Sequence, residues 1–367
     1  MSLKGSCVKW IENDYLTEGI NIMGTCPNMC PLQEVNLRKR EKLVHVLELT
    51  DSEYKMVKCY SRSAASANMA VPQLLRPFSV LMDTVNYLLL QVSSREDVKM
   101  SVMYDFLNDR LRAVRQDMTI QRLPPEECTV LLEPMIRFYV YYGYRLCDHP
   151  LNQYDPVLNK KYLLECLKWF LSCSDTLDRK VDVDAIADEF TILNISNTEK
   201  LLCDRILMES LYIICNLDDI HPLYRYLSLP KNIKRNSSLA VAYNIAVANL
   251  NGNYIRMWKL SKRLCPLTFS AFCLYLPSFQ RRAIQVLSHA YNSKQWTVPV
   301  KVVQKWLAFN SEEELRSVCA HYGLTATDTV LFNKTKFKSD VETPRPVKNF
   351  QAKVLQLKLQ DVLTYRV

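Results

Sequence analysis

The sequence predicts an all-α fold: a solenoid of stacked helices, capped at its C-terminal end by a winged-helix module with a small β-hairpin. Three observations predict it. Only six of the 367 residues are Gly, whereas sheets need many tight turns. Long Leu-rich runs carry apolar residues at helical spacing and are joined by short links, as in antiparallel helical neighbours. Past Pro277 the pattern changes to three helices, a strand-like Trp296-Thr297-Val298 and two runs at 329–332 and 335–337 that turn at Asn333-Lys334. A hydrophobic content of 49% is ample for a core.

Residues 1–60 read as an N-terminal arm. Positions 1–23 lack a strong period and are followed by GTCPNMCP, Gly24 to Pro31. A basic helix then spans 32–49, with Arg38, Lys39, Arg40 and Lys42. Cys26 and Cys30 form a C-x3-C pair. Zinc would need two more ligands, commonly a second close pair, and Cys7 and His45 stand alone. The pair is therefore structural and no metal is expected. Pro31 suits a first helical turn, and Gly24 and Pro27 shape the turn before it. The thirteen Cys are scattered and odd in number, which predicts free thiols in a reducing compartment, nucleus or cytoplasm.

Residues 61–277 form the helical domain. It opens with YSRSAA, containing Arg62, and LRP, containing Arg76. Pro77 starts a helix to about 92. Ser94 and Asp97 resemble a capping box that opens a helix over 97–120. That helix carries YDFLNDRLRAVRQD. Asp109, Arg112 and Arg115 form an i, i+3 ladder, while Arg110 lies on another face and can reach a neighbouring helix. No His, Ser or Cys stands by as nucleophile with a base, so an ionic staple is the reading, with phosphate contact by Arg62, Arg76, Arg110, Arg112 and Arg115 as the alternative. After Pro124-Pro125, helices are expected at 126–147, 156–174, 182–193, 198–216, 221–228, 238–250 and 253–264. The last pair turns at Asn251-Gly252-Asn253, and Tyr254, Met257 and Trp258 line its apolar stripe.

Residues 278–340 form the winged helix. Its helices are expected at 278–291, at 299–308 and from the Ser311/Glu314 capping box to Gly323. Residues 341–367 are a C-terminal tail, read as a linker with a short docking helix.

Charge is distributed unevenly. Residues 220–311 contain no Asp or Glu but thirteen Lys and Arg, where an even spread would place about nine or ten acids. The chain is +9 overall, so everything else sums to 9 − 13 = −4. The asymmetry points to a polyanion, most often nucleic acid. Arg256, Lys259, Lys262, Arg263, Arg281, Arg282, Lys301 and Lys305 are the candidate contacts. The third helix of the C-terminal module begins Glu312-Glu313-Glu314, and these carboxylates repel phosphate. The module is thus expected to dock a protein, with any nucleic acid running over Lys301, Lys305 and the wing lysines Lys334, Lys336 and Lys338.

Other classes are excluded. The glycines are too sparse for a Walker loop or dinucleotide fingerprint. The five His form no HExxH and no pair with a Cys or Ser, so no enzyme and no cofactor is expected. The longest apolar run, 78–92, is interrupted by Asp83, Asn86 and Gln91, so no membrane insertion is expected.

GTCPNMCP, YSRSAA, LRP with its Leu-rich helix, YDFLNDRLRAVRQD, LNGNYIRMWKL and LPSFQRRAIQVLSHAY with FNSEEEL occur in one order. Together they resemble the GANP family of PCI-type scaffolds, whose yeast founder was named a suppressor of actin. The resemblance covers about residues 24–340. It implies a PCI-like solenoid with a winged helix that pairs with a second PCI-domain protein and a small acidic subunit. It also implies an RNA-facing basic surface, in transcription-coupled mRNA export. The nucleoporin-like repeats, the acetyltransferase region and the centrin-recruiting helix of the large members are missing, so the chain is most similar to short, core-domain members linked to centrosome duplication. The alternative is therefore a centrosome and mitotic spindle factor whose basic face meets centrosomal or spindle proteins, such as acidic tubulin tails.

Overall fold

The structure, a computed structural model, describes residues 22–50, 54–62, 70–188, 203–293, 295–348 and 353–364. It is mostly helical, with one small three-stranded sheet among the described residues. Two compact units emerge. The first joins residues up to 84 with 109–124, and the second joins 85–108 with 125–367.

In the first unit, Thr25 N–H donates to Pro72 O (2.8 Å) and Cys26 N–H to Leu75 O (2.9 Å), so GTCPNMCP pairs with the LRP segment. Only glycine fits at position 24, because a Cβ there would lie 2.5 Å from Leu75 O. Helix α1 (Leu32–Arg40) is shorter than the 32–49 expected. The chain reverses at Lys42, whose φ is 56°. It re-forms as a single 3-10 turn, Val46–Glu48, capped by His45 Nδ1, which accepts from Leu47 N–H. The reversal brings Glu48 back over Arg38, a gain that local helix propensity does not register.

Helix α2 (Phe78–Asn86) starts after Pro77 as expected, then loosens into a π turn at Tyr87–Gln91 and a 3-10 turn at Val92–Ser94. The capping box at Ser94 does not form. Ser94 Oγ donates to Gln91 O (2.7 Å), Asp97 pairs with Arg95 (2.5 Å), and α3 (Met100–Gln121) begins later than expected.

The second unit is built on α4 (Pro125–Arg145) and α5 (Pro156–Asp188), which pack together. Asn159 bridges Tyr104 Oη (3.1 Å) and Tyr139 O (3.1 Å) at their close approach, 2.8 Å from where a Cβ on Gly143 would stand. The expected break between 174 and 182 is absent: no Gly or Pro interrupts the run and α5 continues to Asp188. The rest of the helix expected at 182–193, and the start of that expected at 198, lie outside the described residues.

Helices α6 (Arg205–Cys215), α7 (His221–Ser228), α8 (Lys231–Lys234), α9 (Ser237–Leu250), α10 (Tyr254–Ser261) and α11 (Pro266–Cys273) follow. Helix α6 packs on α5 and α9, α10 on α9, and α11 on α4 and α6.

Beyond them come α12 (Leu276–Ala290), β1 (Val298–Pro299), α13 (Val300–Leu307), α14 (Glu312–His321), β2 (Thr325–Ala326) and β3 (Thr329–Leu331). The sheet runs β1-β3-β2, antiparallel, with Val298 opposite Val330 and Thr325 opposite Leu331. The expected hairpin at 329–337 is therefore displaced: β3 pairs backward with β2, not forward with 335–337. Asn333 Oδ1 accepts from Thr335 N–H (2.9 Å) and Lys336 N–H (3.3 Å), which curls that segment into a turn. Ser311 caps α14 as read, accepting from Glu314 N–H (3.1 Å), although Glu314 answers to Asn310 N–H (2.7 Å) instead of the cap residue. The last described elements are a 3-10 turn, Lys353–Gln356, and α15 (Leu359–Thr364), which packs on α4.

Candidate nucleic-acid interface

Two groups of site residues separate cleanly in the structure. The motif residues from Cys26 to Arg115 gather in the first unit around two fully buried carboxylates, each 0% exposed, whereas Gly252 and Tyr254 lie in the second. Glu48 accepts from Arg38, from Arg110 Nη2 (3.2 Å) and from Val57 N–H (3.0 Å). Asp117 accepts from Lys58 Nζ (2.6 Å) and Arg76 Nε (2.7 Å). At the edges, Arg38 meets Glu34 (3.6 Å) and Arg110 meets Asp109 (2.5 Å). Four cations thus face four carboxylates, as burial of charge requires. Burial pushes the Glu48 carboxyl up, but the Arg38 hydrogen bond and the Arg110 charge outweigh it and hold it below the ordinary carboxylate value.

Gln121 completes the cluster, taking Gly24 N–H on Oε1 (2.8 Å) and giving Nε2 to Arg76 O (2.8 Å). Arg112 stacks on Tyr60 at 3.7 Å, Arg115 is half-buried, and Arg62 is exposed. Cys26 and Cys30 are buried here. The Cys26 thiol donates to Asn28 O (3.2 Å), and burial, followed by Glu34, raises the Cys30 thiol. Among the described residues no three His, Cys, Asp or Glu gather as a metal site.

The basic candidates lie in the second unit. Asn251-Gly252-Asn253 turns between α9 and α10, with Gly252 at φ 62° and Asn253 Oδ1 capping Arg256 N–H (3.0 Å). The turn sets Met257 and Trp258 inward and leaves Tyr254 half-buried, edge-on to Phe279 at 5.6 Å. Arg256, Lys259, Lys262 and Arg263 are thereby exposed, Lys262 Nζ resting 5.4 Å from the Trp258 ring. Helix α10 packs against α13, whose Lys301 and Lys305, one turn apart, are also exposed. Val300, Val303 and Leu307 fill the inner side of α13. Lys334, Lys336 and Lys338 are exposed in the turn after β3, not on a hairpin.

Some of the bases are already engaged. Arg282 pairs with Asp218 (2.5 Å) and Arg281 donates to Ser339 O (2.5 Å). Arg225 is held by Asp175 (2.8 Å) and Glu209 (2.7 Å), in a cluster with Arg205. Glu48, Lys58, Asp117 and Gln121 were missed from sequence. Asp117 closes the quoted YDFLNDRLRAVRQD run eight residues after Asp109, on the same side of α3 to within a quarter turn, and that spacing was the available signal.

The family model described as SAC3/GANP family matches residues 29–328. Over 88% of this chain, SAC3 family protein B of Arabidopsis thaliana is 25% identical, as is Protein xmas of Drosophila melanogaster. SAC3 family protein 1 of Schizosaccharomyces pombe is 25% identical over 94%. These matches span 19%, 16% and 35% of the relatives' own lengths.

Proposed function

The chain belongs to the SAC3/GANP family, and on that premise we propose a non-catalytic PCI-type scaffold that contacts RNA in nuclear, transcription-coupled mRNA export. One observation carries the RNA contact: six exposed bases, with Arg256, Lys259, Lys301 and Lys305 on two helices packed side by side and Lys262 and Arg263 directly after the first of them, all within a stretch that has no carboxylate. Such a face binds the phosphate backbone without reading sequence. Arg281 and Arg282 contribute less, since a carbonyl and Asp218 hold them.

The C-terminal helices and sheet are read as a winged helix and the preceding stack as a PCI-like solenoid. Glu313 is exposed at the start of α14, where a groove-reading helix would meet phosphate. This supports docking of that helix to a second PCI-domain protein, with a small acidic subunit, as the resemblance implies.

The test reverses Lys259, Lys262 and Arg263 to Glu and measures binding of a single-stranded RNA by fluorescence anisotropy at several salt concentrations. Affinity should fall at least tenfold at low salt and the salt slope should flatten, with the circular dichroism melt unchanged. Unchanged affinity refutes the surface. Loss of binding to an acidic tubulin-tail peptide, with RNA binding intact, would favour the spindle reading.

A further inference from the structure

Helix α4 carries a track of donors. Arg137, Tyr141 and Arg145 recur every four residues along one face, and each donates to a main-chain carbonyl of the C-terminal segment. Arg137 Nη1 reaches Val362 O at 2.9 Å, Tyr141 Oη reaches Leu357 O at 3.2 Å, and Arg145 Nη1 reaches Leu355 O at 2.7 Å. The bonded carbonyls step backward as α4 advances, so the segment lies antiparallel to it. Leu359 and Val362 are its buried pegs, while Gln356, Lys358 and Asp361 face solvent. Gln360 Nε2 ties the segment to Ser93 Oγ at 3.0 Å.

A helix of six residues has no stability of its own, so its order comes from the track. Carbonyl capture gives affinity regardless of side-chain identity, and the two pegs give register, which is the division of labour in peptide docking. Arg137 also links the segment to the rest of the unit. Its guanidinium bonds Glu133 (2.7 Å) and lies 3.7 Å from Asp204, the residue that caps α6.

We propose that this track is a peptide-docking site, and that residues 355–364 are its exchangeable intramolecular occupant. A 3-10 turn followed by a short helix with Leu and Val three residues apart, offered in trans, takes the same place once the tethered segment is disarmed. The tether gives the cis segment a local concentration on the order of millimolar, so the intact chain keeps trans segments out. The inference is independent of the RNA reading.

Two experiments on the full-length chain test it. In native hydrogen exchange, the amides of 359–362 should exchange at least a hundredfold faster than those of α4 around Val140, yet slower than in a free peptide. Exchange at the rate of α4 would make the segment part of the fixed core, and exchange at free-peptide rates would mean it is not docked. Either result overturns the proposal. The second experiment measures anisotropy of a fluorescein-labelled peptide of residues 353–367. It should bind the full-length double variant Leu359→Asp, Val362→Asp at least tenfold more tightly than the wild type, and adding Arg145→Ala should cut that binding severalfold. Absent binding to the folded double variant, or equal binding to the wild type, also overturns it. Should the double variant fail to fold, hydrogen exchange on the wild type decides.

Discussion

Asp117→Asn tests whether the motif residues act as a buried charge balance. The asparagine keeps the shape and one acceptor oxygen but removes the negative charge between Lys58 Nζ at 2.6 Å and Arg76 Nε at 2.7 Å. Both cations have side chains 5% exposed or less, so water cannot replace the lost partner. Breaking a buried pair from one side costs about 3–5 kcal/mol, a large share of the 5–15 kcal/mol typical of a whole domain.

The described tryptophans Trp169, Trp258, Trp296 and Trp306 all belong to the other unit, so a cysteine inside this one reports it more directly. Cys30 is the suitable reporter: it is 3% exposed, follows Met29, whose carbonyl accepts from Arg76, and burial raises its thiol. Its alkylation at neutral pH therefore proceeds through opening of the unit. At about 1.4 kcal/mol per decade, Asp117→Asn should speed peptide-mapped alkylation of Cys30 by about a hundredfold to a few thousandfold. Acceleration of less than about fivefold would refute the charge-balance account. In a Lys58→Met background the same substitution should cost less, since one of the stranded cations is gone.

Acid should act through Glu48. Its folded value is depressed, so its stabilisation is complete at neutral pH and is lost as pH falls through that depressed value, below the ordinary carboxylate range. Urea midpoints of the first unit, followed by hydrogen exchange, should decline there in the wild type and stay nearly level in Glu48→Gln, which begins lower. Gly24→Ala should destabilise that unit by about 1–3 kcal/mol through contact with Leu75 O. Gly252→Ala, with nothing within 4 Å but φ at 62°, should cost only about 1–2 kcal/mol of backbone strain, and denaturant titration of both would separate the two causes.

Much of the helical layout was legible because apolar periodicity and Pro and Gly punctuation are local. The helix at 221–228 and the Ser311 cap of α14 were read at their observed positions. What failed depended on partners distant in sequence. Helix α1 stops at Arg40 because Glu48 must return to Arg38 and Arg110, and Arg110 lies 62 residues beyond Glu48. The hairpin slid because the pairing of Val298 with Val330 fixes β3 from outside the hairpin.

The charge window misled in a similar way. It held no acid of its own, yet Asp175, Glu209 and Asp218 fold back on Arg225 and Arg282. Exposure on α10 and α13 was readable from helical spacing, but which bases are already engaged was not.

The bond from Arg137 to Val362 joins residues 225 positions apart. During synthesis, α4 leaves the ribosome with Arg137, Tyr141 and Arg145 facing no carbonyl, and they wait while more than two hundred further residues are made. Closing so long a loop adds little entropy beyond that of a shorter one, but it cannot be closed early. The second unit therefore reaches its final packing only after residue 362 has emerged, and a nascent chain stalled before that point presents an open donor stripe to whatever is nearby.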